Sequence, residues 1–147
     1  MNVPQESIEA LPGVRVGDTY GPVSQAITAE LNEQYLYAAQ DYNPLYVSHG
    51  SAVQALVHPA LLIHLNMSEL LAFKPAAGWV GLHARDEVEM LGPVHVGETL
   101  TITWRVVELY EKRGRPYWVR ETEVSDSHGR PLVRRRMHTA FVRRDES

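Results

Sequence analysis

The sequence of 147 residues contains no cysteine, which excludes disulfide bonds, thiolate metal sites and a cysteine nucleophile. Long hydrophobic runs are also lacking. The most apolar stretch, residues 59–73, includes His64, Asn66, Ser68 and Glu69, so it is too short and too polar to span a bilayer. The first residues have neither a basic start nor a continuous apolar core, so we expect no signal peptide and a cytoplasmic location.

The charge balance gives no reason to expect a nucleic-acid partner, because the formal net charge is −4. Internal repeats, low-complexity segments and long linkers are absent from the sequence, and its length suits one domain. We predict a flexible N-terminal lead-in over residues 1–13 and a single domain over residues 14–147.

The periodicity of the hydrophobic residues changes from helical to alternating along the chain. Thr28 can cap a helix that ends near Gln40, and a second, buried helix is predicted from Pro59 to about Phe73. Residues 99–106 then alternate as in a half-buried strand, and further strands are predicted over residues 80–91, 117–124 and the C-terminal region. This order predicts an α+β fold in which an antiparallel sheet wraps around one central apolar helix, the hotdog arrangement.

Two segments carry a family resemblance. Residues 37–47, Tyr-Ala-Ala-Gln-Asp-Tyr-Asn-Pro-Leu-Tyr-Val, resemble the signature of MaoC-like dehydratases and (R)-specific enoyl-CoA hydratases. Residues 90–100, Met-Leu-Gly-Pro-Val-His-Val-Gly-Glu-Thr-Leu, resemble the second hallmark of that family. The resemblance extends over residues 14–142 and implies a single hotdog domain.

The resemblance implies a hydratase or dehydratase that adds or removes water at the β-carbon of an acyl thioester, carried on CoA or on acyl carrier protein. It places Asp41 as the general acid and base, with Asn43 in the substrate-binding loop. It also implies that a backbone N–H at the start of the central helix polarises the thioester carbonyl. It implies no cofactor, and the spacing of the histidines indicates no metal site.

The sequence departs from the family pattern at two positions. The family's loop histidine is Tyr46 here, and a phenol, which titrates near pH ~10, is a much weaker base than imidazole. The family's His-Gly pair reads His58-Pro59, and proline offers no N–H. The N–H of Ala60 is the predicted replacement for that donor.

For several candidate side chains, the sequence allows two interpretations, one structural and one catalytic. Asp41 is an acid and base or a residue that ends a helix. Tyr46 is a packed aromatic at the mouth of the site or a proton donor, and His49 is an exposed loop residue or a replacement base. His58 is a structural hydrogen-bonding residue or a catalytic one, and His64 is predicted to be a core histidine.

The C-terminal strand is strongly basic, with Arg134 and Arg136 on one face. These side chains can bind CoA phosphates or an acidic carrier protein. They can also pair across the sheet with Glu121 and Glu123, which is the interpretation that we favour.

Three functions remain open at this level. The first is a hydratase or dehydratase that acts alone or within a complex. The second is a non-catalytic hotdog subunit that pairs with an active homologue. The third is an acyl-CoA thioesterase. An exposed sheet edge predicts a homodimer, or a heterodimer with a homologous hotdog subunit, and neither nucleic acid nor membrane is an expected partner.

Overall fold

The computed structural model describes residues 1–47, 54–65 and 73–146. The strands are β1 (Val3–Pro4), β2 (Thr19–Ala26), β3 (Trp79–Met90), β4 (Thr99–Lys112), β5 (Arg115–Ser125) and β6 (Pro131–Arg143). The helices are α1 (Ala29–Ala39) and α2 (Pro59–Ile63), with 3₁₀ turns at Pro44–Tyr46 and Arg144–Glu146. Within these ranges, no helix has both the length and the apolar character needed to cross a membrane.

The strands form one antiparallel sheet, and this confirms the predicted α+β class. The strand order is β1-β4-β5-β6-β3, and β2 pairs with β4 on the same side as β1. Strand β3 pairs only with β6 among the described strands, so its other edge is open.

The alternation along β4 determines which face of the sheet is buried. Leu100, Ile102, Trp104 and Val106 are all buried, as the period of two predicts. Together with Val124 and Val133 of the neighbouring strands, Leu100 and Ile102 pack against α2. Burial of each such side chain contributes about 1.5–3 kcal/mol.

Helix α1 begins and ends where its capping residues predict. The Thr28 side chain accepts a hydrogen bond from the Leu31 N–H at 3.0 Å. At the other end Gln40 adopts a left-handed conformation with φ 54°, and its N–H reaches the carbonyls of Leu36 and Tyr37. This turn closes the helix and redirects the chain towards Asp41.

Helix α2 begins at Pro59 as predicted and ends at Ile63, because His64 leaves the helical conformation with ψ 4°. The predicted helix continues to about Phe73, but His64, Leu65 and Phe73 are not helical, and residues 66–72 lie outside the described residues. The prediction that His64 is a core histidine is wrong. The side chain is exposed beside the helix end, and its Nδ1 lies 2.7 Å from the Ala60 carbonyl oxygen.

The first 13 residues pack against the sheet, which differs from the flexible lead-in that we expected. Strand β1 pairs with the far end of β4, and Ile8, Ala10 and Leu11 are buried. Their cluster includes Trp104 and Trp118, so apolar side chains of this segment cover one end of the sheet. The domain boundary at residue 14 stays a prediction.

The basic face of β6 is paired across the sheet, as the favoured interpretation predicted. Arg136 contacts Glu121 at 2.9 Å, and Arg134 contacts Glu123 at 3.2 Å. The pKa of Glu121 is lowered, first by its hydrogen bond to Arg136. These pairs lie on the outer face and are half exposed, so each contributes little to stability.

Candidate active site

The loop after α1 is shaped by two side chains that hydrogen-bond to their own backbone. Asp41 Oδ1 accepts a hydrogen bond from the Asn43 N–H at 3.2 Å, and Asn43 Oδ1 accepts one from the Leu45 N–H at 3.0 Å. The Asp41 N–H in turn donates to the Leu36 carbonyl at 3.1 Å. These turns hold the Asp41 carboxylate at a fixed place beyond the end of α1.

A short backbone ladder brings the two motif segments together. The Leu56 N–H donates to the Leu45 carbonyl at 2.9 Å, and the Val57 N–H donates to the Val94 carbonyl at 2.8 Å. The Val96 N–H reaches the Ala55 carbonyl at 2.8 Å. Residues 55–57 are thereby held between the Asp41 loop and the second motif, and His58 follows directly.

Asp41 and His58 meet at the centre of this arrangement. His58 Nε2 lies 2.9 Å from Asp41 Oδ2, and the Ala60 N–H donates to His58 Nδ1 at 3.1 Å. Because Nδ1 accepts that bond, the neutral ring carries its proton on Nε2 and donates it to Asp41. The His58 side chain is 16% exposed and that of Asp41 43%, so the carboxylate is the more accessible member of the pair.

Two tyrosine rings flank the His58 imidazole. The ring centroids of Tyr35 and Tyr46 lie 5.2 Å and 4.9 Å from that of His58. Tyr35 comes from α1 and Tyr46 from the 3₁₀ turn, so the imidazole is held between two elements. These two ring contacts restrict rotation of the imidazole and help to keep Nε2 towards Asp41.

Asn32 is a site residue that the sequence did not identify. It is 1% exposed, and its Nδ2 donates to the carbonyls of Tyr46 at 3.0 Å and Leu56 at 3.4 Å. Its Oδ1 accepts from the His58 N–H at 3.1 Å. A single asparagine therefore joins α1 to both segments that form the site. Its position one helical turn before Leu36, on the apolar face of α1, was the available signal.

An apolar groove of about 220 Å³ lies close to His58, because its lining includes Tyr46, which packs near the imidazole, and Pro59, the next residue in the chain. Met90 and Pro93 of the second motif also line it. Leu62 of α2 forms part of the same wall. The groove can therefore accommodate an aliphatic group beside a carboxylate and an imidazole.

The structure brings most of the predicted site residues together. His58 contacts both Asp41 and Tyr46, Asn43 shapes the loop, and Pro59 begins α2 beside them. The Ala60 N–H, predicted as a carbonyl donor, is engaged by His58 Nδ1 in this conformation. His49 lies outside the described residues. In the described ranges, no three His, Asp or Glu side chains are grouped as metal ligands.

Comparison with known proteins gives a family match and several related structures. The model of the family described as "FAS1-like, dehydratase domain region" matches residues 14–135. Among curated protein sequences, none matches this chain.

The related structures share the fold at low sequence identity. The (R)-hydratase from A. caviae involved in PHA biosynthesis is 24% identical with a TM-score of 0.66, and the match covers 90% of this chain and 98% of that one. The MaoC-like dehydratase from Rhodospirillum rubrum is 16% identical with a TM-score of 0.72, and the match covers 91% of this chain and 97% of that one. The HadBC (3R-hydroxyacyl-ACP dehydratase) complex from Mycobacterium tuberculosis is 12% identical with a TM-score of 0.68, and the match covers 86% of this chain and 96% of that one. The chain has the hotdog fold.

Proposed function

Because this chain belongs to the family of FAS1-like dehydratase domains, we propose that it adds or removes water at the β-carbon of an acyl thioester. The observation that carries the proposal is the 2.9 Å contact between His58 Nε2 and Asp41 Oδ2. This contact pairs a carboxylate with an imidazole, although this chain has Tyr46 at the position where related sequences have the loop histidine. The names of the similar (R)-hydratase and MaoC-like dehydratase support the same reaction.

Asp41 is the proposed acid and base, and His58 orients it. The hydrogen bond from His58 Nε2 to Oδ2 fixes the orientation of the Asp41 carboxylate, and this carboxylate is the proposed acceptor of a proton from water. As the water oxygen bonds to the β-carbon of an enoyl thioester, its proton passes to Asp41. The Asp41–His58 pair then delivers a proton to the α-carbon and returns to its first state. Dehydration follows the same path in reverse.

The apolar groove is the proposed binding place for the aliphatic part of the thioester. Tyr46 and Pro59 line it next to the reacting pair. Asn43 acts in this proposal by shaping the loop. The Ala60 N–H can donate a hydrogen bond to the thioester carbonyl only if its hydrogen bond to His58 Nδ1 breaks, because one N–H does not donate fully to two acceptors.

The first test compares hydration of trans-2-enoyl-CoA by the wild type, Asp41→Asn and His58→Gln. We expect Asp41→Asn to lower kcat by about 100-fold or more, since a general acid and base contributes ~10²–10⁴. His58→Gln should lower kcat by a smaller factor, because the carboxylate remains. Glu33→Gln, an exposed carboxylate on α1, is the matched control and should keep the wild-type rate. Equal rates for the wild type and Asp41→Asn would refute the role of Asp41.

A second candidate function is a non-catalytic subunit paired with an active homologue. Tyr46 in place of histidine favours it, and the similar HadBC structure is a complex. This candidate predicts no turnover by the pure chain and recovery of activity on addition of an intact Asp/His hotdog partner. Release of free thiol from acyl-CoA would instead indicate a thioesterase.

The proposed partners are an acyl-CoA or acyl carrier protein thioester and a second hotdog subunit, identical or homologous, in the cytoplasm. The open edge of β3 carries exposed apolar side chains, Leu82, Val88 and Met90. An open strand edge with apolar residues is a site for pairing with another sheet. Met90 also lines the groove, so a partner on this edge would lie next to the site.

A further inference from the structure

The inner face of the sheet, which is apolar in most positions, carries two arginines. Arg120 of β5 is 5% exposed, and the side chain of Arg135 of β6 is 12% exposed. The strand register pairs Arg120 with Met137 and Thr122 with Arg135, so the two guanidinium groups come from adjacent positions on the same face. A buried cation is unfavourable unless an anion or hydrogen-bond acceptors compensate it.

Arg135 is compensated by groups of the chain itself. Its Nε donates to both carboxylate oxygens of Asp86, at 2.8 Å and 3.0 Å. Its Nη1 donates to the Ile63 carbonyl at 2.6 Å. The charge and most donors of this side chain are therefore matched, and Arg135 also joins the end of α2 to β3.

Arg120 has no carboxylate partner among the described residues. Its guanidinium lies over the rings of Trp104 and Trp118, at 5.3 Å and 4.8 Å from their centroids. Its Nη2 lies 3.9 Å from Met137 Sδ, and its Nε has no hydrogen-bond acceptor in the described part of the chain. Burial, followed by the charge of Arg135, lowers its pKa to about 10. The described part of the protein thus leaves one buried positive charge uncompensated.

A small cavity lies next to this charge. It measures about 30 Å³, enough for about two water-sized groups. Arg135, whose charge Asp86 matches, lines it directly, and Arg120 lies behind two other lining residues, Trp104 and Met137, which it contacts. Leu62 lines both this cavity and the apolar groove beside Tyr46 and Pro59. Leu62 lies three residues after Pro59, about 4.5 Å along α2, so about one helical turn separates this wall of the cavity from His58, which directly precedes Pro59.

On the premise that the chain acts on acyl thioesters, we propose that Arg120 selects a short acyl group that ends in a carboxylate. The thioester end lies beside Asp41 and His58, the chain passes Leu62, and the distal carboxylate enters the cavity towards the Arg120 guanidinium. A carboxylate there supplies the missing negative charge in a site shielded from water, where a charge-assisted hydrogen bond is strong. An acyl group of equal length that ends in methyl leaves the cation uncompensated.

The test measures binding of glutaryl-CoA and pentanoyl-CoA to the full chain by calorimetry, since these thioesters have equal chain length and differ in the terminal group. We expect the wild type to bind glutaryl-CoA at least 10-fold more tightly. Arg120→Met should abolish the preference, and Arg120→Lys, which keeps the charge, should retain part of it. Arg134→Met is the matched control, because that arginine pairs with Glu123 on the outer face, and it should keep the full preference.

Equal binding of the two thioesters by the wild type overturns the proposal, and this comparison does not depend on any variant folding. An unchanged preference in Arg120→Met also overturns it.

Hydration of glutaconyl-CoA and trans-2-pentenoyl-CoA separates this proposal from the proposed function. A glutaryl-CoA preference that Arg120→Met abolishes, with no hydration of either enoyl thioester, supports the Arg120 site and refutes the reaction. Equal hydration of both, with equal binding of the two saturated thioesters, refutes the Arg120 site and supports the reaction.

Discussion

At the scale of single residues, His58 is held by contacts on every side of its ring and backbone. Its Nδ1 accepts from Ala60, its Nε2 contacts Asp41, and its own N–H donates to Asn32. These contacts fix both the tautomer and the orientation of the imidazole. A residue held in this way can replace a loop histidine without occupying the same position in the sequence.

Asn32 gives a prediction at this scale. Asn32→Ala removes a buried side chain that satisfies the Tyr46 carbonyl and the His58 N–H, so these groups lose their partners. We expect the free energy of unfolding to fall by about 2–3 kcal/mol in urea denaturation. Turnover should also fall, since His58 loses one of its supports.

Gln34→Ala is the matched control for that prediction. Gln34 is an exposed amide on the same helix, and its hydrogen bond to Glu30 is a long 3.4 Å. Its replacement should change the unfolding free energy by less than about 0.5 kcal/mol. If the two alanine variants are equally stable, Asn32 is not the connection that the hydrogen bonds indicate.

At the scale of elements, Asp86 of β3 and Arg135 of β6 connect the sheet to α2. The hydrogen bond from Arg135 is the largest cause of the lowered pKa of Asp86. A carboxyl whose pKa is lowered on folding adds stability above its unfolded value, about pH 3.9, and loses it as the pH falls through the folded value. The stabilisation by Asp86 is therefore present at pH 7 and disappears in acid.

Asp86→Asn tests this linkage. We expect the variant to be less stable than the wild type by about 2 kcal/mol at pH 7, because Arg135 keeps its charge and loses its carboxylate. The difference should shrink as the pH is lowered below about 3.9. Urea denaturation at several pH values measures it, and a difference that stays constant down to the acid limit would contradict the assignment.

A helix or strand could be predicted from the sequence when the interactions that determine it lie within a few residues of one another. The alternation of Leu100 to Val106 and the Thr28 cap are local, and both predictions are confirmed. The Asp41–His58 contact depends on the left-handed turn at Gln40 and on the ladder between residues 55–57 and 94–96. The turn is local, but the ladder joins segments far apart in the sequence, so the sequence identified both residues without predicting that they meet.

Buried polar residues were the hardest to predict for the same reason. Asn32 and Arg120 are types that usually lie at the surface, and only their places on an apolar helix face and an inward strand face distinguish them. His64 shows the opposite error, because an apolar sequence around it predicted burial, whereas the helix end exposes it.

At the scale of the whole molecule, the open edge of β3 predicts the mode of assembly. Val88 is 40% exposed on that edge, and Val88→Lys should lower the fraction of dimer in sedimentation experiments by adding a charge at the interface. Val16 is 52% exposed just before β2, which pairs with β4 and not with β3. It provides the matched control Val16→Lys, which should leave the dimer unchanged. A wild-type chain that sediments as a monomer would contradict the proposed interface.

The separation of 17 positions between Asp41 and His58 also matters for how genomes are read. A search that requires histidine at the position of Tyr46 would classify this chain as a degenerate copy and set it aside. The pair suggests another rule, in which homologues with tyrosine there are sorted by whether they keep both partners. Those that keep both are the ones to assay for turnover, and those that have lost either are the ones to examine as companions of an active subunit.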